Sequence, residues 1–506
     1  MIKIKSYILS AVIILILGLS PLTTFAAEGD SGYEGGISTG EAIDKKYDYQ
    51  EVIFVTGKPI VVKGYLTIKK TQKDTTETWT YTYTNLKNET EKVTLNRTIS
   101  YNVILTSKSN GQIQKQMTLK GTPSERIAVD NISYTLKKYS FSKSNIVDVK
   151  PHAQYFAGDF SGEKTYSIAG GTGTSNGTVI VSSTGKIFGY NQYWSNTESQ
   201  TIEYIIEIEQ NGKKWDGFAK EGISLTSTKK IYYEKNKPDE ISFEGGYVQK
   251  QNNLSILQYE SEFPEFDAKG APTDYLIKSK DTLKYDTFPQ VTRLVVPSLR
   301  QLKGHWAEND VKLLYSLEVF RDNSENFRTK DYMSRAEFAK AMILAGKLLT
   351  DEEITLADAN AEGANESEEE VQVFEDVPLD HPYFTYVKEV YNRKIMDGIN
   401  RRYFWPESTI TRAQAVTLFI RSLGFEGRAP SPIAVTSFKD NDKIPAWARN
   451  SVYIAEKIGL VKGDTYGNMN PNNPMTKGEV AAMLNRFINY MREDIITDYR
   501  DNIILY

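Results

Sequence analysis

The hydrophobic period of this chain changes once, near Pro297, and that change limits what the chain can fold into. Before it, apolar and polar residues alternate: Thr78-Trp79-Thr80-Tyr81-Thr82-Tyr83-Thr84 is almost pure period two, and Ile99-Ser100-Tyr101-Asn102-Val103 repeats it. Alternation puts successive side chains on opposite faces of a strand. Further strands are expected at 52–56, 60–68, 179–182, 202–208, 231–233 and 254–259, with Asn110-Gly111 and Asn211-Gly212 suited to the positive φ angles of tight hairpins. After Pro297 the spacing becomes helical. Trp306, Val311, Leu314 and Leu317 recur as Trp447, Val452, Ala455 and Ile458, offsets that line one helix face. The expected fold class is multidomain: an N-terminal all-β, sandwich-like region, then an all-α module. A break near Gly170–Thr178 divides the β region into two subdomains or leaves one large sandwich.

The helical part repeats in a second way. Met333-Ser334-Arg335-Ala336-Glu337, Ile410-Thr411-Arg412-Ala413-Gln414 and Met475-Thr476-Lys477-Gly478-Glu479 are three copies of one pentad. Each is a capping box: Ser or Thr accepts from the N3 amide, and Glu or Gln at N3 returns a bond to the N-cap amide. Met333, Ile410 and Met475 then stand where an apolar residue staples onto Phe338, Ala415 and Val480. The cation after each cap is unexpected, because Arg335, Arg412 and Lys477 lie at the positive end of the helix dipole. Two accounts fit it: an anion held between the cation and the free N–H groups of the helix start, or a carboxylate from a neighbouring repeat.

Composition excludes several classes. The chain has no cysteine and only His152, His305 and His381, which removes disulfides, thiolate metal sites and cysteine nucleophiles. Lys+Arg 61 against Asp+Glu 65 argues against a nucleic-acid coat. Residues 1–26, with Lys3 and Lys5, an apolar run over 8–19 and Thr24-Phe25-Ala26, read as a signal peptide cleaved after Ala26. The mature chain is therefore expected outside the cytoplasm, with no membrane association after cleavage. Asp351 to Glu370 carries nine acids and no base, a pattern expected of a solvated loop, and it lacks the D-x-D-x-D-G order of a calcium loop. Gly170 to Gly177 lacks the Gly-Lys-Ser/Thr ending of a phosphate loop. No catalytic pair, cofactor or metal site is recognised, and His152 stands alone in the β region.

Lys303-Gly304-His305-Trp306-Ala307, Phe374-Glu375-Asp376-Val377 with Asp380-His381-Pro382, and Phe438-Lys439-Asp440 with Ile444-Pro445-Ala446-Trp447-Ala448, each followed by its pentad, resemble three S-layer homology motifs. The resemblance covers about 299–492 and implies a pseudo-threefold module of helix-loop-helix motifs that binds secondary cell-wall polysaccharide, commonly pyruvylated. It implies ligand contacts at Arg335, Arg412 and Lys477, stacking at Trp306 and Trp447, and acidic positions at Asp376 and Asp440. Motif one departs with Gln301 at the acidic position and Asp322 where the others place Gly398 and Gly463, glycines suited to a left-handed C-cap. Motif two has Pro382 or Tyr383 at the tryptophan position. The expected organisation is a signal peptide 1–26, a β-rich region 27–298, motif one 299–350, an acidic insert 351–370, motif two 371–430, motif three 431–492 and a tail 493–506. The function these readings imply is a non-enzymatic, secreted surface or S-layer protein at the cell wall that displays its β region outward and can self-associate. Rival readings are a wall-anchored polysaccharide-active enzyme and a glycan-binding adhesin.

Overall fold

The structure, a computed structural model, describes residues 31–499 except 41, 74–75, 171–176, 237–244, 268–270, 362–370 and 431–433, so the signal-peptide expectation lies outside the described residues. The alternating region becomes fifteen strands among the described residues. They are β1 (Gly36–Ser38), β2 (Tyr47–Ile53), β3 (Ile60–Lys73), β4 (Thr76–Asn88), β5 (Val93–Ser107), β6 (Ile113–Leu119), β7 (Ser124–Val129) and β8 (Ile132–Val149). The second half supplies β9 (Gln154–Gly170), β10 (Gly177–Asn191), β11 (Ser195–Gln210), β12 (Lys213–Glu234), β13 (Gly246–Phe266), β14 (Pro272–Asp286) and β15 (Gln290–Arg293).

All fifteen belong to one sheet in nearly sequential order, which corrects the expectation of facing sandwiches. Residues 171–176 of the expected break lie outside the described residues, but β9 and β10 on either side pair along their length, from Gly177 opposite Ile168 to Asn191 opposite Gln154, within one sheet. Long antiparallel strands twist, and a sheet this wide curls on itself. Gln50 Nε2 on β2 donates to the Lys284 carbonyl on β14 at 3.4 Å, and the inner faces of β2 through β13 share one core. Asn211 and Gly212 have φ of 53° and 74° and join Gln210 to Lys213 as expected, whereas Asn110-Gly111 does not form that turn. Only Gly111 is left-handed there, and Asn110 Oδ1 accepts the Gln112 amide at 3.1 Å inside a longer loop.

Residues 31–38 cross the inside of the roll. The Tyr33 carbonyl accepts from Gln200 Nε2 at 3.0 Å, the Ser38 carbonyl from Ser255 Oγ at 2.7 Å, and Lys143 Nζ donates to Glu34 at 2.9 Å. Gly36 is required by close approach: a Cβ there would stand 1.9 Å from Tyr49 Oη. The interior also holds charge, which must be paired. Arg97 donates to both oxygens of Glu51 at 2.8 Å and to Glu125 at 2.7 Å, and Lys164 donates to Glu125 at 2.7 Å. Burial pushes the Glu125 carboxyl up, but Arg97 and Lys164 outweigh it and hold the group at about 2.

Beyond Pro297 the helices are α1 (Glu308–Ser316), α2 (Arg335–Ala345), α3 (Asp351–Ala361), α4 (Phe384–Asn392), α5 (Arg412–Leu423), α6 (Ala446–Lys457), α7 (Lys477–Asn489) and α8 (Ile495–Asp498). All three predicted capping boxes form at Ser334, Thr411 and Thr476. Four expectations are corrected. The acidic insert is not simply a loop: Thr350 and Glu353 make a further capping box, and α3 buries Ile354 and Ala357, while 362–370 lies outside the described residues. Gly398 and Gly463 are not the left-handed caps. That conformation falls on Glu318, Lys394 and Gly459, and Gly398 is needed because a Cβ would stand 2.4 Å from Phe374 Cε1. Trp306 and Trp447 do not share the buried helix face, being 63% and 59% exposed. The tail is part of the core through 499, where Ile495 and Tyr499 are buried.

The roll and the helical module meet over a buried surface in which Tyr190 and Trp194 join the helical core. The carbonyls left over at a helix C-terminus need donors. For α2 they come from His152 Nε2 to Met342 O at 3.0 Å and Trp194 Nε1 to Ala345 O at 2.8 Å. For α5 they come from the His152 amide to Ser422 O at 3.0 Å and Tyr155 Oη to Leu423 O at 3.3 Å. Past α7, Met491 O accepts from Ser195 Oγ at 2.8 Å and from Gln192 Nε2. His152 is thus a helix-capping residue, and burial lowers its imidazole to about 4.

Candidate functional site: three unequal clefts around a pseudo-threefold ring

The three pentads close a ring. The Met333 amide donates to Met475 O at 3.0 Å, the Met475 amide to Ile410 O at 2.9 Å, and the Ile410 amide to Met333 O at 3.0 Å. α2, α5 and α7 start from this ring, each against a loop of the next motif. That arrangement uses up the helix-start amides. The Arg335 and Ala336 amides donate to Ser408 O and Pro406 O, those of Arg412 and Ala413 to Asn473 O and Pro471 O, and those of Lys477 and Gly478 to Asp331 O and Thr329 O. With the N3 amides taken by the caps, no free N–H cradle exists at these three starts, which corrects that part of the anion account.

The side chains of the cations diverge. Arg335 is 6% exposed, stacks on Phe404 with 4.8 Å from its guanidinium carbon to the ring centroid, and donates through Nε and Nη2 to Phe404 O and Asp397 O, each at 3.0 Å. Gln414 stands at its neighbour's pentad position, where the other two motifs carry Glu. Lys477 Nζ is paired with Glu337 at 2.6 Å beside a cleft of about 90 Å³ that Asp322, Phe320, Phe327 and Tyr383 line. Arg412 is less committed. Its Nη2 donates to Lys462 O at 3.0 Å, its Nη1 lies 4.0 Å from Glu479, and its buried Nε has no partner. Burial lowers its affinity for its proton, and Glu479 opposes that effect. The cleft in front of it measures about 200 Å³ and is lined by Asp464, Asn468, Asn470 and Asn473.

Asp376 and Asp440 act on the backbone. Asp376 accepts the Phe404 and Trp405 amides at 2.9 and 2.7 Å, and Asp440 accepts those of Met469 and Asn470 at 2.7 and 2.8 Å. These bonds hold Trp405 and Asn470 at φ of 59° and 55°, a strained conformation for tryptophan. Gln301 has one acceptor oxygen where a carboxylate has two, and its Nε2 donates to Ser324 O at 2.6 Å. His305 and His381 each accept at Nδ1 the amide two residues on, which aligns Trp306 with Pro382 and leaves Tyr383 one position later.

Sequence reasoning missed Trp405, 51% exposed beside Arg335, and Asp464 beside Arg412. Amides of Asn468 and Tyr466 and the side chain of Asn470 donate to Asp464 and hold its carboxyl at about 2. A signal existed: Pro406 and Pro471 stand six residues before Arg412 and Lys477 and mark the same loop.

Residues 302–339, 373–416 and 437–481 match the S-layer homology domain. The chain is 30% identical over 142 residues to an endoglucanase of Bacillus sp. (strain KSM-635), covering 28% of this chain and 14% of that protein. It is 26% identical over 203 residues to a surface-layer 125 kDa protein of Lysinibacillus sphaericus (40% and 15%) and 32% identical over 120 residues to a cell surface protein of Thermoanaerobacter kivui (23% and 15%). The chain thus spans about a seventh of the length of these relatives. It carries three S-layer homology domains, and domains of this kind imply anchoring at the cell wall.

Proposed function

We propose that the helical module fastens this chain non-covalently to an acidic secondary cell-wall polysaccharide, with the Arg412 cleft as the principal site, and that the roll is displayed as a surface component. The observation that carries this reading is Arg412, which lines a polar cleft of about 200 Å³ and whose Nη1 has only the Glu479 carboxylate at 4.0 Å. A carboxylate such as a pyruvyl group supplies the acceptor that this guanidinium lacks, and charge-assisted hydrogen bonds of that kind contribute about 1.5–3 kcal/mol. Lys477 already has Glu337, and Arg335 spends its donors on carbonyls, so both serve chiefly to join neighbouring motifs. Trp306 and Trp447, both exposed, offer sugar-stacking faces near the ring.

Two related proteins are named endoglucanase and exoglucanase, which keeps a polysaccharide-active enzyme as the second reading. Of the carboxylates of the roll, Glu51, Glu125, Glu198 and Glu221 are buried inside it, out of reach of a polymer, so such an activity would fall to others. The test is sedimentation of the mature protein with cell-wall sacculi before and after chemical removal of pyruvyl groups. Arg412→Ala is expected to weaken binding roughly tenfold to a hundredfold, from the bond energy above, and Lys477→Ala by less. Equal sedimentation of the Arg412 variant, or indifference to pyruvyl removal, would remove the carboxylate mechanism.

A further inference from the structure

The last strand of the sheet is an open edge. β14 pairs with β13 on one side, and no described strand pairs with the other. Its C-terminal third is closed against the roll: Lys284 O accepts from Gln50, and Leu283 and Tyr285 pack on the inner core. The N-terminal part runs past that closure. Tyr275, Leu276 and Ile277 are 76%, 56% and 52% exposed in consecutive positions. Ile277 is opposite the buried Phe263, and by strand alternation it lies on the same face as Leu283 and Tyr285, while Asp274 and Tyr275 stand in a register irregularity between Pro272 and Leu276. The apolar inner face of the sheet therefore continues beyond the roll with nothing described covering it. An edge of this kind is a template for another strand.

We propose that the occupant is β14 of a second copy, paired antiparallel about a twofold axis through Ile277. That register sets Ile277 opposite itself, Leu276 opposite Lys278, Tyr275 opposite Ser279 and Asp274 opposite Lys280, each pair occurring twice except the central one. Asp274 and Lys280 have no ion-pair partner among the described residues, and this register gives each the other's charge. Lys278 keeps its own partner, Glu262, at 2.6 Å, so its stem can lie along Leu276. Neighbouring registers are worse: centring on Lys278 sets two ammonium groups against each other, and centring on Leu276 leaves Lys280 opposite Pro272. The charge pattern is complementary to itself, which selects a second copy over an unrelated strand. This pairing is independent of wall binding and of the clefts described above.

Sedimentation velocity of the full mature chain across a concentration series tests the proposal. Wild type is expected to shift from monomer to dimer with concentration, and Asp274→Lys and Lys280→Asp to remain monomeric alone with unchanged circular dichroism. Mixed in equal amounts, those two variants carry complementary edges and regain the dimer. The chain has no cysteine, so Ile277→Cys supplies a single thiol that sits opposite its copy, at a Cα separation of about 4.5–5.5 Å within disulfide range. Oxidation is expected to convert that variant to covalent dimer, and not a Ser227→Cys control on β12. Wild type that stays monomeric, single variants that dimerise like wild type, or a mixture that fails to regain the dimer would each overturn the twofold edge.

Discussion

Glu221 gives the most quantitative prediction. It is sealed inside the roll on β12, with Tyr204 Oη donating to Oε2 at 2.8 Å and no partner on Oε1. Burial, opposed by the Tyr204 bond and reinforced by the charge of Glu51, pushes its carboxyl up to about 8. The native state therefore holds a proton between the ordinary value of 4.5 and about 8 that the unfolded chain has lost. Stability from this group is fully present below the unfolded value and is lost as pH rises through the folded one. A difference of this size corresponds to about 4–5 kcal/mol across the window. Glu221→Gln keeps an acceptor for Tyr204 and carries no charge. Measured by urea unfolding, the variant should match or trail wild type near about pH 5, by up to about 2 kcal/mol for the extra amide donors, and exceed it by several kcal/mol above about pH 8. A stability difference between variant and wild type that is flat in pH would mean that Glu221 is ionised in the fold, and the sealed interior would be refuted.

Three further predictions concern the interface and the loops. His152, lowered to about 4 by burial, binds its proton in the unfolded chain first, so stability falls as pH drops from 6.5 through about 4. His152→Gln, which keeps a donor for Met342 O, should flatten the acid limb of an unfolding profile by about 3 kcal/mol. Trp194→Phe removes the donor to Ala345 O together with part of a fully buried ring, and should cost at least about 1–3 kcal/mol in chemical denaturation. Asp440→Ala strips the acceptor from the Met469 and Asn470 amides, so it should lower Tm and wall sedimentation together. Arg412→Ala should lower sedimentation by more than its smaller loss of Tm, which reflects the bond to Lys462 O, accounts for.

What was legible in the sequence was local. The capping boxes form because their partners lie three residues apart, and strands form where apolar residues alternate. The inward charges also left a trace, since Arg97 is in phase with the buried Val93, Leu95 and Ile99, and Glu221 with Ala219 and Ile223. The closure of the sheet left none, because the Gln50 to Lys284 contact joins residues that no period relates. The same limit explains the helix-start amides. Their acceptors at 406, 408, 471, 473, 329 and 331 belong to loops of neighbouring motifs, and a capping rule that sees one helix counts those amides as free. The inequality of the clefts was partly visible in Gln414 and Asp322, but Arg335 stacking on Phe404 depends on a left-handed tryptophan that propensity does not predict.

The ring and the interface together fix a direction. α2, α5 and α7, of 11, 12 and 13 residues, begin at the ring, and the chain ends of all three meet the roll through His152, Trp194, Tyr155, Ser195 and Gln192. At about 1.5 Å per residue the two ends are separated by roughly 16–20 Å of helix. The Arg412 cleft, at the N-terminal end of α5, therefore lies on the side of the module away from the roll. A polymer held in that cleft leaves the roll on the opposite side, and the capping contacts, being buried and directional, transmit that orientation without a flexible joint. The same contacts make the roll a structural partner of the anchor, because removing it would replace buried, directional donors at three helix ends with water and expose the apolar surface that Trp194 covers.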